Sequence, residues 1–191
     1  MSSSPPSLPG SSPAADASLL AERVRTAMRD VPDFPKPGIL FKDITPVLAD
    51  PVLFRDVIEH WVTRWGPEGI DVVTGVESRG FIFAAPLAFR LGCAFLPVRK
   101  PGKLPYRTVS VEYALEYGTD RLEAHEDALV AGARVLIVDD VLATGGTAHA
   151  TAQLVERLGG RVAGAVFLLE LGFLRGAQQL TGIPVDVLVT A

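Results

Sequence analysis

The chain has 191 residues, of which 48% are hydrophobic and 21% are charged, and its formal net charge is −4. This length and composition are typical of a protein with one substantial core, and the negative charge argues against a general nucleic-acid surface. One cysteine cannot form an internal disulfide framework, and the three histidines are scattered along the chain and offer no Cys/His metal cluster, so we predict a cytoplasmic protein in a reducing compartment.

The first fifteen residues are rich in serine and proline and contain few large apolar side chains. Such a segment buries too little apolar surface to offset the entropy of ordering, so we predict a disordered tail over residues 1–15. Residues 16–191 are predicted to form a single domain. The start of the chain lacks the basic and apolar regions of a secretory signal, and the apolar stretches are too short to span a membrane.

Beyond the tail, the hydrophobic pattern changes repeatedly between helical and strand spacing. Helices are predicted over residues 19–28, 51–65, 81–91 and 147–158, and strands over residues 70–74, 94–98, 134–138, 161–169 and 185–189. This alternation favours an α/β fold with a central, mostly parallel sheet flanked by helices.

One long segment, residues 99–127, interrupts this alternation and is therefore a candidate lid. It begins with a basic cluster that comprises Arg99, Lys100, Lys103 and Arg107. Positive charge concentrated in an acidic protein suits a polyphosphate ligand, although a solvated basic loop has the same composition. Residues 108–117 then alternate well enough to form a two-stranded lid that closes over a site.

The most informative stretch is the apolar run of residues 135–138, which is followed directly by Asp139 and Asp140. In open α/β sheets, ligands bind at the carboxyl ends of the strands. Carboxylates repel phosphate but accept hydrogen bonds from vicinal hydroxyls, so this pair suits the ribose of a ribose 5-phosphate. An ordinary strand-to-helix turn with an acidic cap is the alternative interpretation.

A small turn, residues 143–147, follows the two acids and opens the next helix, whose N-terminus attracts phosphate. Gly145 and Gly146 lack Cβ atoms, so backbone N–H groups can converge on phosphate oxygens. The hydroxyls of Thr144 and Thr147 add two donors. The chain contains neither a P-loop nor a Gly-x-Gly-x-x-Gly string, which removes the main support for an NTPase or dinucleotide site.

Residues 135–147 resemble the phosphoribosyl-pyrophosphate signature of the type I phosphoribosyltransferases. Four further blocks, residues 31–46, 75–81, 99–105 and 115–118, are similar to the adenine phosphoribosyltransferases within that family. The resemblance implies the type I fold with a flexible lid or hood. It also implies the conversion of adenine and 5-phospho-α-D-ribose 1-diphosphate (PRPP) to AMP and diphosphate in purine salvage, with Mg²⁺ held mainly through the substrate, and a homodimer without nucleic-acid or membrane partners.

The same resemblance assigns roles to individual residues. Glu116 and Arg79 would be catalytic, with Glu116 exchanging a proton with the purine and Arg79 addressing the pyrophosphate. The residues expected to bind PRPP are Ser78, Arg99, Lys103, Asp139, Asp140, Ala143, Thr144, Gly145, Gly146 and Thr147. The residues expected around adenine are Leu40, Phe41, Lys42, Leu171 and, on the lid, Tyr117.

Two positions depart from the family pattern. Tyr106 stands where the family commonly has glycine, and Lys42 stands where it often has arginine, so the closing of the lid and one charged contact are open to change. Two other functions stay open at this point: transfer to a 6-oxopurine base, and a regulator that senses PRPP without turnover. The Lys103 and Glu116 lid residues argue against the regulator, and the block at residues 34–42 favours adenine.

Overall fold

The computed structural model describes residues 13–114 and 119–191. The chain divides into two compact units, one ending at Asp56 and the other comprising Val57–Ala191. In the described ranges, no helix is both long and apolar enough to cross a membrane.

The N-terminal unit contains two predicted helices and a hairpin that the pattern does not predict. Its elements are α1 (Pro13–Ala27), β1 (Arg29–Pro32), β2 (Leu40–Asp43), α2 (Thr45–Ala49) and the first part of α3 (Pro51–Trp65). The helix predicted after Asp50 is confirmed, since the Asp50 carboxylate accepts hydrogen bonds from the N–H groups of Val52 and Leu53 at 2.9 and 3.0 Å and caps α3. Strands β1 and β2 pair antiparallel but are only four residues each and contain no buried residue, so they carry no strong alternation.

The C-terminal unit is an α/β structure with a five-stranded parallel sheet in the order β4-β3-β7-β8-β9. Its elements are β3 (Val72–Val76), α4 (Gly80–Leu91), β4 (Ala94–Val98), β5 (Thr108–Ala114), β6 (Thr119–His125), β7 (Arg134–Leu142), α5 (Gly146–Arg157), β8 (Arg161–Glu170) and β9 (Val185–Thr190). The predicted fold class is therefore confirmed. Strand β7 continues four residues beyond its predicted end because its ladder with β8 extends to Leu142.

Helices cover both faces of the sheet. On β3, Val72 and Val76 belong to a buried cluster with Leu154 of α5. Gly75 faces the other way, and a Cβ atom placed there would lie 2.7 Å from the Cβ of Ala84 on α4. Because successive strand residues point to opposite faces, α4 and α5 lie on opposite sides of the sheet.

The predicted lid is an antiparallel ribbon, β5 paired with β6, and its described part is packed rather than free. Val111, Leu122 and Ala124 are at most 1% exposed and share the cluster that contains α5. The Arg157 guanidinium donates to the carbonyl of Ser110 at 2.8 Å. Motion of the whole ribbon would therefore disrupt buried apolar contacts.

Gly164 on β8 gives a stability prediction. A Cβ atom at this position would lie 2.0 Å from Cη2 of Trp65, whose indole is buried and donates to Asp186 at 3.3 Å. We expect Gly164→Ala to lower the free energy of unfolding by about 1–3 kcal/mol, measured by urea denaturation.

The matched control for this substitution is Gly66→Ala, where the nearest atom to the new Cβ is 3.9 Å away. This control should change the free energy of unfolding by less than about 0.5 kcal/mol. Equal effects at both positions would show that the Trp65 contact does not limit residue 164.

Candidate functional site

The candidate site lies where the order of the parallel strands reverses. Strands β3 and β7 are neighbours in the sheet, and the chain continues from β3 into α4 and from β7 into α5 on opposite faces. Such a switch point leaves a crevice at the carboxyl ends of the strands. Here it holds a cavity of ≈ 210 Å³ lined by Arg79, Phe167 and the continuous stretch 139–148.

The turn between β7 and α5 forms one wall of this cavity, as predicted. Gly145 has a left-handed backbone with φ of 84° and directly precedes α5, so the turn stands at the helix N-terminus. Ala143, Thr144, Gly145, Gly146 and Thr147 all line the cavity. Unpaired N–H groups at a helix N-terminus, together with the two threonine hydroxyls, give this wall the chemistry of an anion site.

Arg79 and Asp140 meet across the switch point. Arg79 directly precedes α4, and its Nε lies 3.0 Å from Oδ2 of Asp140. The Asp140 side chain is buried, whereas that of Arg79 is 45% exposed, so a partly exposed residue of the cavity lining is anchored on a buried carboxylate. Arg79 therefore provides positive charge whose position is set by a carboxylate on the neighbouring strand.

Helix α4 also approaches the Asp139 carboxylate closely. A Cβ atom on Gly80 would lie 2.9 Å from the Asp139 carboxylate, so the glycine permits this approach. The same carboxylate accepts a hydrogen bond from the N–H of Asp140 at 2.9 Å. Both acids lie within β7, rather than after it as predicted, and both line the cavity.

The two acids are not ordinary surface carboxylates. Burial raises the pKa of Asp139 well above its usual value, and the neighbouring Asp140 charge raises it further. Burial also raises the pKa of Asp140, although the Arg79 guanidinium opposes this change. Apart from its ion pair with Arg79, Oδ2 of Asp140 has no hydrogen-bond partner among the described residues. With one cation beside two buried acids, the pair is therefore costly to ionise fully until hydroxyl donors or further cations reach it.

This electrostatic cost predicts how stability depends on pH. Because the folded protein binds protons at the pair more tightly than the unfolded chain does, stability should fall as the pH rises past the usual carboxyl pKa towards the raised one. We expect Asp139→Asn to raise the melting temperature of the ligand-free protein at neutral pH, with a gain that shrinks at acidic pH. Asp127→Asn, at an exposed position, is the control and should show no such pH-dependent gain.

The basic loop is fixed by two carboxylates that the sequence interpretation did not single out. Arg99 donates from Nε to Glu77 at 2.5 Å and from its terminal nitrogen to the carbonyl of Lys103 at 3.1 Å. Glu123 accepts from the N–H of Gly102 at 3.1 Å. The loop is thereby folded around the Arg99 side chain, and Lys103 is left exposed.

Lys100 takes part in a separate polar cluster near the last register pairs of the ribbon, where Tyr113 pairs with Asp120. Its ammonium group pairs with Asp120 and donates to the hydroxyl of Tyr113 at 3.0 Å. Burial lowers the pKa of Lys100, but the hydrogen bonds to Asp120 and Tyr113 outweigh burial and leave the pKa raised. The charged Lys100 side chain thus links the basic loop to the ribbon through an ion pair and a hydrogen bond.

Several predicted site residues lie elsewhere or outside the description. Glu116 and Tyr117 fall outside the described residues. Leu40, Phe41 and Lys42 form strand β2 of the N-terminal unit, where the ring of Phe41 packs edge to face on Phe34 at 5.1 Å and Lys42 pairs with Asp30 at 2.7 Å. Their roles stay predictions.

The remaining predicted residues belong to the C-terminal unit. Ser78 is exposed and follows a cis peptide bond from Glu77. Leu171 directly follows β8, and its N–H donates to the carbonyl of Leu142 at 2.9 Å, which ties it to the end of β7. Tyr106, the unusual residue of the loop, packs edge to face on the ring of His125 at 6.0 Å.

One signal could have identified Glu77. Val76 and Val98 are register partners at the ends of β3 and β4, and Glu77 and Arg99 are the next residue on each strand. Once two strands are known to be parallel neighbours, an acid and a base just beyond paired ends are expected to meet. The role of Gly176, described below, has no comparable local signal.

Comparison with known families agrees with this geometry. The family model of the phosphoribosyl transferase domain matches residues 48–179, which is more than half of the chain and includes the entire cavity lining. The fold and the site thus define a phosphoribosyltransferase.

Comparison with individual relatives shows which family of phosphoribosyltransferases the chain resembles. An adenine phosphoribosyltransferase of Anaeromyxobacter dehalogenans is 59% identical over 90% of this chain and 99% of its own length. The corresponding protein of Myxococcus xanthus is 56% identical over 92% of this chain and 95% of its own length. A crystal structure of the Thermoanaerobacter pseudethanolicus enzyme superposes with a TM-score of 0.87 at 53% identity, covering 90% of this chain and 99% of the other. The chain belongs to the adenine phosphoribosyltransferase family.

Proposed function

We propose that this protein transfers the phosphoribosyl group of PRPP to adenine and releases AMP and diphosphate, a reaction of purine salvage. The observation that carries the proposal is the meeting of Arg79, Asp139, Asp140 and the turn at residues 143–147 in one cavity at the switch point. A relative from Saccharomyces cerevisiae, with a TM-score of 0.85 and 40% identity over 90% of this chain and 99% of its own, was solved with adenine and an imino-altritol bisphosphate. That complex supports a site for a base beside a sugar bisphosphate.

The ribose 5-phosphate end of PRPP is assigned to the turn and the two acids. The 5′-phosphate would accept hydrogen bonds from the N–H groups and threonine hydroxyls of residues 143–147. The ribose hydroxyls would donate to Asp139 and Asp140, and would add a hydrogen bond at Oδ2 of Asp140, which among the described residues has only its ion pair with Arg79. Substrate binding would therefore favour the ionised form of the pair.

The diphosphate end is assigned to the two arginines and Lys103. Bond cleavage at the anomeric carbon leaves an oxocarbenium-like sugar and a departing anion, so fixed positive charge beside that anion lowers the barrier. Arg79 is positioned by Asp140, and Arg99 is positioned by Glu77. Prealigned guanidinium groups need little reorganisation when the charge develops on the leaving group.

The adenine end rests on the family resemblance. Phe41 would stack on the base, with the backbone of Leu40 and Lys42 pairing with its polar edge and Leu171 covering its other face. Glu116 would share a proton with the purine ring as the nucleophilic nitrogen attacks, and Tyr117 would help to exclude water.

Magnesium fits this site only as a partner of the substrate. Among the described residues, no group of three or more His, Cys, Asp or Glu side chains could hold a metal ion. Mg²⁺ prefers oxygen ligands and commonly binds through substrate phosphates with one or two carboxylates, which Asp139 and Asp140 could provide. When bound, the ion would neutralise charge on the diphosphate. A cytoplasmic location and a homodimer complete the proposal, both on the basis of the family.

A coupled assay with Mg²⁺ and PRPP tests the proposal, with adenine, guanine, hypoxanthine and xanthine offered separately. We expect AMP from adenine and no nucleotide from the other three bases. Nucleotide formed from a 6-oxopurine would retain the phosphoribosyl site but contradict the adenine assignment. PRPP binding without turnover of any base would instead favour a sensor.

A further inference from the structure

A short 3-10 helix, Gly176–Gln179, contacts the phosphate turn although none of its described residues lines the cavity. A Cβ atom on Gly145 would lie 2.3 Å from the carbonyl oxygen of Gly176. A Cβ atom on Gly176 would lie 2.2 Å from the carbonyl oxygen of Ala143 and 3.0 Å from the nitrogen of Gly145. The two backbones are therefore in direct contact, and each glycine is required by the approach of the other segment, Gly145 also by its positive φ.

This contact revises the interpretation of Gly145. The sequence suggests that its missing side chain lets backbone N–H groups converge on phosphate oxygens. In the structure, the space that its Cβ would occupy is filled by Gly176 and by the Cβ of Gln179 at 3.0 Å. The 3-10 helix Gly176–Gln179, which we call the backing segment, thus occupies one side of the turn. The backbone of Gly145, with its positive φ of 84°, packs against this segment.

His149 ties the backing segment to the helix that follows the turn. Its Nδ1 lies 3.0 Å from the carbonyl oxygen of Gln179, and its Nε2 lies 3.1 Å from Nε2 of Gln153. Because a carbonyl oxygen only accepts, Nδ1 carries the proton, and Nε2 of the neutral ring accepts from the Gln153 amide. The ring is thereby oriented by a neighbour one helical turn away.

Apolar packing completes the connection. Leu180, directly after the backing segment, is 2% exposed and shares a buried cluster with Ala148 and Ala152 of α5. The first turn of α5, the phosphate turn and the backing segment therefore form one packed body. A preorganised turn loses less entropy when it binds an anion than a mobile one does.

We propose that His149 and Gly176 are positioning residues that hold the turn at residues 143–147 in its phosphate-binding shape. The inference rests on the proposed function, because it concerns the affinity of that turn for the 5′-phosphate of PRPP. Neither residue touches the reacting atoms. They should therefore act on the binding of the phosphoribosyl group and not on the binding of adenine.

The test compares His149→Leu with His149→Asn, whose amide nitrogen can donate from nearly the position of Nδ1. We expect His149→Leu to raise the KM for PRPP and the Kd for ribose 5-phosphate about tenfold, with kcat and the KM for adenine changed less than about twofold. His149→Asn should restore both constants to within about threefold of the unsubstituted protein. Gly176→Ala should act in the same direction and more strongly, because the new Cβ overlaps a carbonyl oxygen.

Ribose 5-phosphate binding, measured by calorimetry, separates this inference from the proposed function. The control is His60→Leu, which replaces a partly buried histidine on α3. It should leave the KM for PRPP and the Kd for ribose 5-phosphate unchanged. Normal AMP formation by the unsubstituted protein, together with unchanged ribose 5-phosphate affinity in a folded His149→Leu, would overturn the inference alone. A second outcome is that ribose 5-phosphate binding weakens in His149→Leu and recovers in His149→Asn, while no form of the protein makes AMP. This outcome would support the inference and overturn the proposed function. No ribose 5-phosphate binding by the unsubstituted protein would overturn the inference.

Discussion

Replacing Arg79 by glutamine is expected to lower kcat/KM for PRPP by about 10²–10³-fold, the range seen when one preorganised donor to a developing anion is removed. Two features of the structure make this position sensitive. The guanidinium lines the cavity, and it lies 3.0 Å from the buried Asp140 carboxylate. The substitution therefore removes the positive charge assigned to diphosphate and also leaves Asp140 without its counter-charge.

Arg90→Gln is the matched control for this experiment. Arg90 lies on α4, the helix that Arg79 directly precedes, is exposed, and forms an ion pair with Glu59 at the surface. Exposed ion pairs contribute little to stability, so its kinetic constants should stay within about twofold of those of the unsubstituted protein. Steady-state kinetics with both substrates provide the measurement. A similar loss in the two variants would point to damage of α4 as a whole and contradict the assigned role of Arg79.

Replacing Glu116 by glutamine is expected to lower kcat by about 10²-fold or more, with a small change in the KM for PRPP, because a positioned acid or base typically contributes 10²–10⁴-fold. Glutamine keeps the size of the side chain and removes the titrating group. In sequence, Glu116 lies between Ala114 and Thr119, the last register partners of the β5–β6 ribbon.

Glu112→Gln is the control, because Glu112 is an exposed residue of β5 in the same ribbon. It should leave kcat within about twofold of that of the unsubstituted protein. The pH dependence of kcat provides a second readout, since loss of the acid proposed to transfer the proton should remove one limb of the profile. Unchanged kcat in Glu116→Gln would mean that the resemblance on the lid does not extend to proton transfer.

The local sequence pattern predicts much of this fold, because the apolar runs of the buried strands and the residues that end them are adjacent in the chain. Residues 135–147 encode a strand, two acids and a helix start in one continuous string, and the structure places the part from Asp139 onward in the cavity lining. The run at residues 94–98 is predicted with its observed bounds because it is apolar, short and flanked by breaking residues.

Features that depend on contacts between distant segments could not be predicted in the same way. The hairpin β1–β2 is short and its strands contain no buried residue, so only the pairing of the two strands defines it. The Glu77–Arg99 pair requires the knowledge that β3 and β4 are neighbours, and the approach of Gly176 to Gly145 requires the path of the chain after β8. Site residues identified from sequence therefore lie within motifs, whereas the residues that support them come from elsewhere in the chain.

The most direct test of the proposed site is a crystal structure of the protein with AMP, which carries both the 5′-phosphate and the ribose hydroxyls. We expect the phosphate to accept hydrogen bonds from the N–H groups of residues 143–147, with the ribose hydroxyls within hydrogen-bond distance of Asp139 and Asp140. Well-defined AMP whose phosphate lies away from this turn, or whose ribose does not contact either acid, would contradict the assignment of the cavity.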